Sequence, residues 1–212
     1  KVEGLAIATK HSGISGNLEV EFPSFGAVLD NPESAFMDLA LKNINLGVRD
    51  AYYFSPSLSH NPYINTFEKK KFEASLIASG KMSEIHLETV SATWGNTTKI
   101  GLSGNVNEPM NIDRVSWDIE EFNFVSTARD LNLYSPEDSL GIKYPQNLAL
   151  SAASSGSIDD FNLEAMLEAY NASIAMEAAL GMVQDSYNFD LNTTISSVPL
   201  GKIMGDTLTY GA

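Results

Sequence analysis

The sequence predicts an all-β fold, a repetitive antiparallel meander that curves into a taco-like sheet or solenoid with an open groove and little helix. Three features point there. Apolar and polar residues alternate in segment after segment, as in Val115, Trp117 and Ile119 against Ser116, Asp118 and Glu120, the pattern of a strand with one wet and one apolar face. The stretch RVSWDIEEFNFVSTARDLNLYSP, residues 114–136, has counterparts earlier and later in the chain, the mark of a repeated supersecondary unit. Glycine, asparagine, serine and proline separate the alternating segments at short intervals, as hairpins require.

Taken in order, residues 1–32 read as short strands, GLAIAT, NLEVEF and FGAVLD, with Ser12-Gly13 and Ser15-Gly16 as hairpin or loop material. The first copy of the 114–136 stretch follows as SAFMDLALKNINLGVRDAYYFSP, in which Leu39, Leu41, Ile44 and Leu46 precede Trp117, Ile119, Phe122 and Phe124 by 78 residues. Asp50 and Phe54-Ser55-Pro56 match Asp130 and Tyr134-Ser135-Pro136 at 80, which implies two extra linker residues in the later copy. Residues 57–71 read as loop, and the Lys69-Lys70-Lys71 run as a solvated strand edge or turn, since edge lysines oppose strand addition. Four alternating segments come next, Phe72 to Ser79, Ile85 to Thr93, Lys99 to Val106 and Arg114 to Phe124, with Gly80, Gly95-Asn96 and Asn107-Glu108-Pro109 as turns.

A third copy lies 76 residues further on, where Gly156 answers Gly80, Phe161 answers Ile85, Leu163 answers Leu87, Tyr170 answers Trp94 and Asp206 answers Asp130. The expected organisation is one elongated repetitive domain over 1–212 with units 1–56, 57–136 and 137–212. Residues 163–181 are ambiguous. Their Ala, Glu, Leu and Met content and the spacing of Leu163, Met166, Leu167, Tyr170 and Ile174 suit a helix. The partner segment LETVSATWGNTTKIGLSG would make a poor helix, and a repeat keeps its secondary structure, so two strands joined near Asn171 are expected.

The formal charge of -14 opposes nucleic-acid binding, because a phosphate polymer would be repelled. Cysteine is absent, which removes disulfides, zinc-thiolate sites and thiol catalysis. No window carries the roughly 18 apolar residues of a membrane helix. The first residue is Lys1 and no signal peptide is visible, the pattern of a processed chain or an excised fragment. His11, His60 and His86 are scattered, and neither a phosphate-cradling glycine loop nor a nucleophile elbow is present. Asp159-Asp160 and Glu120-Glu121 read as solvated carboxylates rather than an acid/base pair or a calcium site. The triplets at Asn96, Asn171 and Asn192 have the form of glycosylation sequons. No enzyme, cofactor or metal is expected.

The apolar face then sets the question. The expected strip begins with Leu39 and Leu41 and continues through Ile85, Leu87, Ile100, Leu102, Val115, Trp117 and Ile119. In the third copy it runs through Phe161, Leu163, Met176, Leu191 and Ile195. A meander with such a face covers it with a second sheet, by curling, or with a ligand. A closed sandwich core in a structural or adhesive module and an open groove that takes an acyl chain both satisfy the pattern.

The run GSIDDFNLEAMLEAYNASIAMEAAL followed by YNFDLNTTISSVPLGKIMGD, residues 156–205, resembles the AsmA/TamB-like envelope proteins, particularly the large ones of Bacteroidetes-type bacteria. In that family a strand hairpin opened by Gly and a short acidic turn leads to a strand of the YNFDLNTTI kind and an apolar-x-apolar-Gly exit. The SAFMDLALKNINLGVRD and RVSWDIEEFNFVSTARD copies are similar but more degenerate. The resemblance implies a long β-taco in the periplasm, anchored in the inner membrane by an N-terminal helix. It further implies a groove that carries phospholipid or another acyl-chain lipid between membranes, with an outer-membrane assembly protein and neighbouring repeats as partners. The family has no catalytic residues to carry over.

Overall fold

The computed structural model describes residues 2–24, 26, 34–60, 64, 72–135, 137, 141–183 and 186–210. Eleven strands form one antiparallel sheet in chain order. They are β1 (Val2–Ala8), β2 (Gly13–Glu21), β3 (Phe36–Leu46), β4 (Phe72–Lys81), β5 (Glu84–Trp94) and β6 (Thr98–Asn107), then β7 (Ser116–Ser126), β8 (Leu148–Ser157), β9 (Phe161–Ala169), β10 (Ala172–Val183) and β11 (Ser186–Ser196). The sheet is open, with β1 and β11 as its edges. Short helices follow every unit-ending strand: α1 (Val48–Phe54) after β3, α2 (Ala128–Tyr134) after β7, and α3 (Leu200–Met204) with α4 (Thr207–Tyr210) after β11. The expected units thus contribute three, four and four strands.

Residues 163–181, helical by composition, form β9 and β10. Tyr170 and Asn171 both adopt left-handed backbone, φ 57° and 65°, the conformation of a tight two-residue hairpin. Once that turn is made, every second side chain falls on the apolar face, and ladder bonds to β8 and β11 outweigh weak helix propensity.

Several finer expectations are corrected. Ser15-Gly16 and Gly80 lie within β2 and β4 rather than in turns, each where strand pairing is tight. Strands β3 and β7, with their helices, correspond at 80 throughout, so no linker residues are inserted. The offset of 78 matches Lys42-Asn43 with Glu120-Glu121, the polar doublets that form bulges in β3 and β7, but these bulges sit one ladder row apart. Tyr170 occupies a turn, while Ala169 takes the ladder place of Trp94. Asp206 does not repeat Asp130; it accepts from Leu208 N and Thr209 N, at 3.1 and 2.9 Å, in α4. Most of FGAVLD, Asn61-Pro62 and Lys69 to Lys71 lie outside the described residues.

The helices tie the meander together by reaching back over an earlier hairpin. In α2, Asp130 is completely buried. It accepts from the backbone N–H of Asn96, Thr97 and Thr98 at 2.7–3.1 Å and from the Thr97 and Thr98 hydroxyls at 2.9 and 3.1 Å. It thereby fills the β5–β6 turn. Gly95 opens that turn at φ +68°, and a Cβ there would stand 2.8 Å from the Asp130 carboxylate. Asp50 in α1 plays the same part at the β1–β2 turn: it accepts from the Thr9 hydroxyl, and the Ser12 and Thr9 side chains hold its carboxyl below the ordinary range.

Gly156 in β8 has φ +136°, and a Cβ would meet the Asp160 carbonyl oxygen at 2.2 Å. Gly156→Ala is therefore expected to cost about 2 kcal/mol or more, read as a lower urea midpoint with unchanged m-value.

Candidate functional site: one apolar face of the sheet

Cross-strand partners share a face, so the register assigns every strand side chain. Four adjacent rows on one face are apolar. In the row of Phe124, its partners Ile100 and Leu150 lead outward to Ile7 in β1 and Ile195 in β11, with Ile, Ala, Phe or Leu at every crossing. The row of Ile119 runs from Leu18 through Leu39, Leu87 and Leu163 to Leu191. The row of Trp117 holds Ile85 and Phe161 and ends at Phe189, and the row of Phe122 holds Leu41, Leu102 and Met176 and ends at Thr193. Of the forty positions where these rows cross β2 to β11, Ser154 and Thr193 alone are polar and none is charged.

Thirteen of the fourteen expected strip residues therefore lie on this face. Val115 is the exception: it precedes the first ladder residue of β7 and belongs to the β6–β7 connection. Ile14, Ile44, Phe122, Phe124, Leu150 and Leu167 belong to the same face and were not among the expected residues, although they alternate in the same way.

The opposite face is acidic and polar, with Glu19, Asp38, His86, Asn105, Asp118 and Asp190 in a single row. His86 faces Asn105 there at 2.9 Å. With strands about 4.8 Å apart and row residues about 6.8 Å apart along a strand, the apolar face measures roughly 48 by 20 Å.

Within the rows, large side chains from β2 to β10 are half-buried and those of β11 exposed. Apart from glycine and proline, Ala35 and Ala78 are the only buried apolar residues among those described, whereas a second packed sheet would bury a whole layer. The chain exposes 13788 Å², against about 9,600 Å² for a compact monomer of this mass.

Curvature comes from bulges. Polar doublets at Lys42-Asn43, Glu88-Thr89 and Glu120-Glu121 each oppose a single residue of the partner strand, which bends the bulged strand and increases its twist. Between β6 and β10 the apolar face encloses a concavity of 360 Å³, lined by Leu102, Ile119, Phe122, Leu150, Leu163 and Met176 among others. Beside it, the Trp117 and Phe161 rings reach toward each other across Gly156, centroids 6.2 Å apart. The indole Nε1 donates to Ser154 Oγ at 2.9 Å, and that hydroxyl donates to Asn162 O at 2.9 Å, so the Ser154 hydroxyl is satisfied within the face.

A larger concavity of 1280 Å³ opens at the helix end of the sheet, lined by Lys99, Lys143, Glu168, Tyr170 and Lys202 with amides and hydroxyls. Among the described residues no cluster of His, Asp and Glu has the geometry of a metal site. No helix among them is long and apolar enough to cross a membrane. No family model, curated protein or solved structure matches the chain.

Proposed function

We propose that this chain is a segment of an AsmA/TamB-like cell-envelope protein whose apolar sheet face binds acyl chains and conducts lipid between inner and outer membranes. The observation that supports this reading best is the set of four uncharged apolar rows, continuous across ten strands and left half-exposed. An acyl chain lying along the rows, perpendicular to the strands, meets aliphatic and aromatic side chains or glycine backbone, with the hydrogen-bonded Ser154 and, at the β11 edge, Thr193 as the polar crossings. A chain that buries about ten methylenes gains roughly 8 kcal/mol, which corresponds to micromolar binding before the cost of association is subtracted. The acidic opposite face keeps the sheet wetted on its outside in a periplasmic setting.

The test is lipid capture. The purified chain is expected to retain phospholipid detectable by mass spectrometry of the folded protein, and to bind a long-chain fluorescent fatty acid saturably. Finding neither would leave a structural or adhesive module and remove the conduit.

A further inference from the structure

We propose that β11 is a built acceptor for one more antiparallel strand, of the kind represented by β4 and β8, entering in a register that places glycine opposite Phe189. The two edges of the sheet differ. β1 is 7 residues long, breaks register between Val2 and Leu5, and carries Gly4 at φ +67°. Shortness and irregularity of that kind protect an edge from strand addition. β11 is 11 residues long, SYNFDLNTTIS, pairs with β10 without any register break, and contains no proline, lysine or arginine. Every side chain in it is exposed, and β10 is the described element that packs along it. Unprotected edges of this length pair readily.

The molecule itself supplies the chemistry of the partner. β3 and β7, the other helix-followed strands, are each paired on their far side by a strand that carries a small residue, serine and glycine just before its last residue, Ala78-Ser79-Gly80 in β4 and Ser154-Ser155-Gly156 in β8. The glycine faces Met37 in the first case and Trp117 in the second, and the small residue faces Leu39 or Ile119. This arrangement gives the larger side chain room to spread over the glycine, as Trp117 does toward Phe161. Phe189 lies in the row of Trp117, and Leu191 in the row of Ile119. An incoming strand that follows the same rule sets glycine against Phe189 and alanine or serine against Leu191. It covers side chains that are 60% and 54% exposed and prolongs the apolar face by one crossing. This holds whether or not the face binds lipid.

The probe is a synthetic peptide of the β8 sequence, LALSAASSGS, added to the intact chain, with the same peptide carrying valine in place of its glycine as comparison. Hydrogen exchange at the outward-facing amides of β11 is expected to slow by about ten-fold at millimolar peptide, with β1 unchanged and the valine peptide markedly weaker. No protection of β11, protection of β1 instead, or equal protection by the two peptides would overturn the proposal. So would sedimentation that shows β11 already occupied by a second copy of the chain.

Discussion

Replacing Asp130 with alanine is expected to destabilise the protein by about 4 kcal/mol, and Asp130→Asn by about half as much, in urea titrations at pH 7. The carboxylate is fully buried and gathers three backbone N–H groups and two hydroxyls from residues 96–98. Alanine takes the acceptor from all of these donors; the Thr98 N–H is left buried, and each buried donor without a partner costs about 1–3 kcal/mol. Asparagine keeps one acceptor but turns an amide NH2 toward N–H groups. Burial alone would raise the Asp130 pKa, yet the donors from Thr97, Asn96 and Thr98 outweigh it and hold the group at about 2, against 3.8. A depressed folded pKa contributes stability above the unfolded value and loses it as pH falls through the folded one. About 2 kcal/mol should therefore be present at neutral pH and disappear between roughly pH 4 and pH 2. Both variants should lack that component of the acid transition. A wild-type chain whose stability stayed flat from pH 5 to pH 2 would show that the cage does not hold a charge.

The face was legible in the sequence, and the rows were not. Alternation assigns Leu39, Trp117, Ile119 and Leu163 to one side whatever the register, because offsets of 78 and 80 are both even and preserve side-chain parity. Choosing between those offsets requires the bulges. Their signal was in plain view as the polar doublets Lys42-Asn43, Glu88-Thr89 and Glu120-Glu121, each breaking an otherwise regular alternation. Strands β8 to β11 lack such doublets and pair without register shifts. Shorter connections add to this: two residues, 170–171, join β9 to β10 where three, 95–97, join β5 to β6, and the β10–β11 ladder runs on to Val183 and Ser186 where 108–115 separate β6 from β7, so Leu191 shares a row with Ile119 at an offset of 72 rather than 76. The Asp130 cage was hidden for a different reason. Its partners lie more than thirty residues away in a glycine-opened turn, and no local pattern marks a carboxylate that will close over them. Asp206 matched it only by counting, because its own α4 supplies nearer N–H groups.

Ile119→Asp and Leu163→Asp are expected to reduce uptake of a fluorescent fatty acid at least ten-fold while leaving the sheet folded, with stability lowered by only about 1–2 kcal/mol. Both side chains line the 360 Å³ concavity and both are half-buried. A carboxylate there can turn toward water, so the folded state tolerates it. An acyl chain cannot, since passing over the charge would strip its hydration with no partner in the rows to replace it. In a closed sandwich the same substitution would bury an unpaired charge and unfold the protein, so circular dichroism and uptake measured on one sample separate the two architectures. Asp118→Asn and Glu164→Gln, on the acidic face beside the same strands, should leave uptake unchanged. If they lower it as much as Ile119→Asp does, the probe is binding the wrong side of the sheet. If Leu163→Asp unfolds the chain outright, the apolar face is core and the conduit reading fails with it.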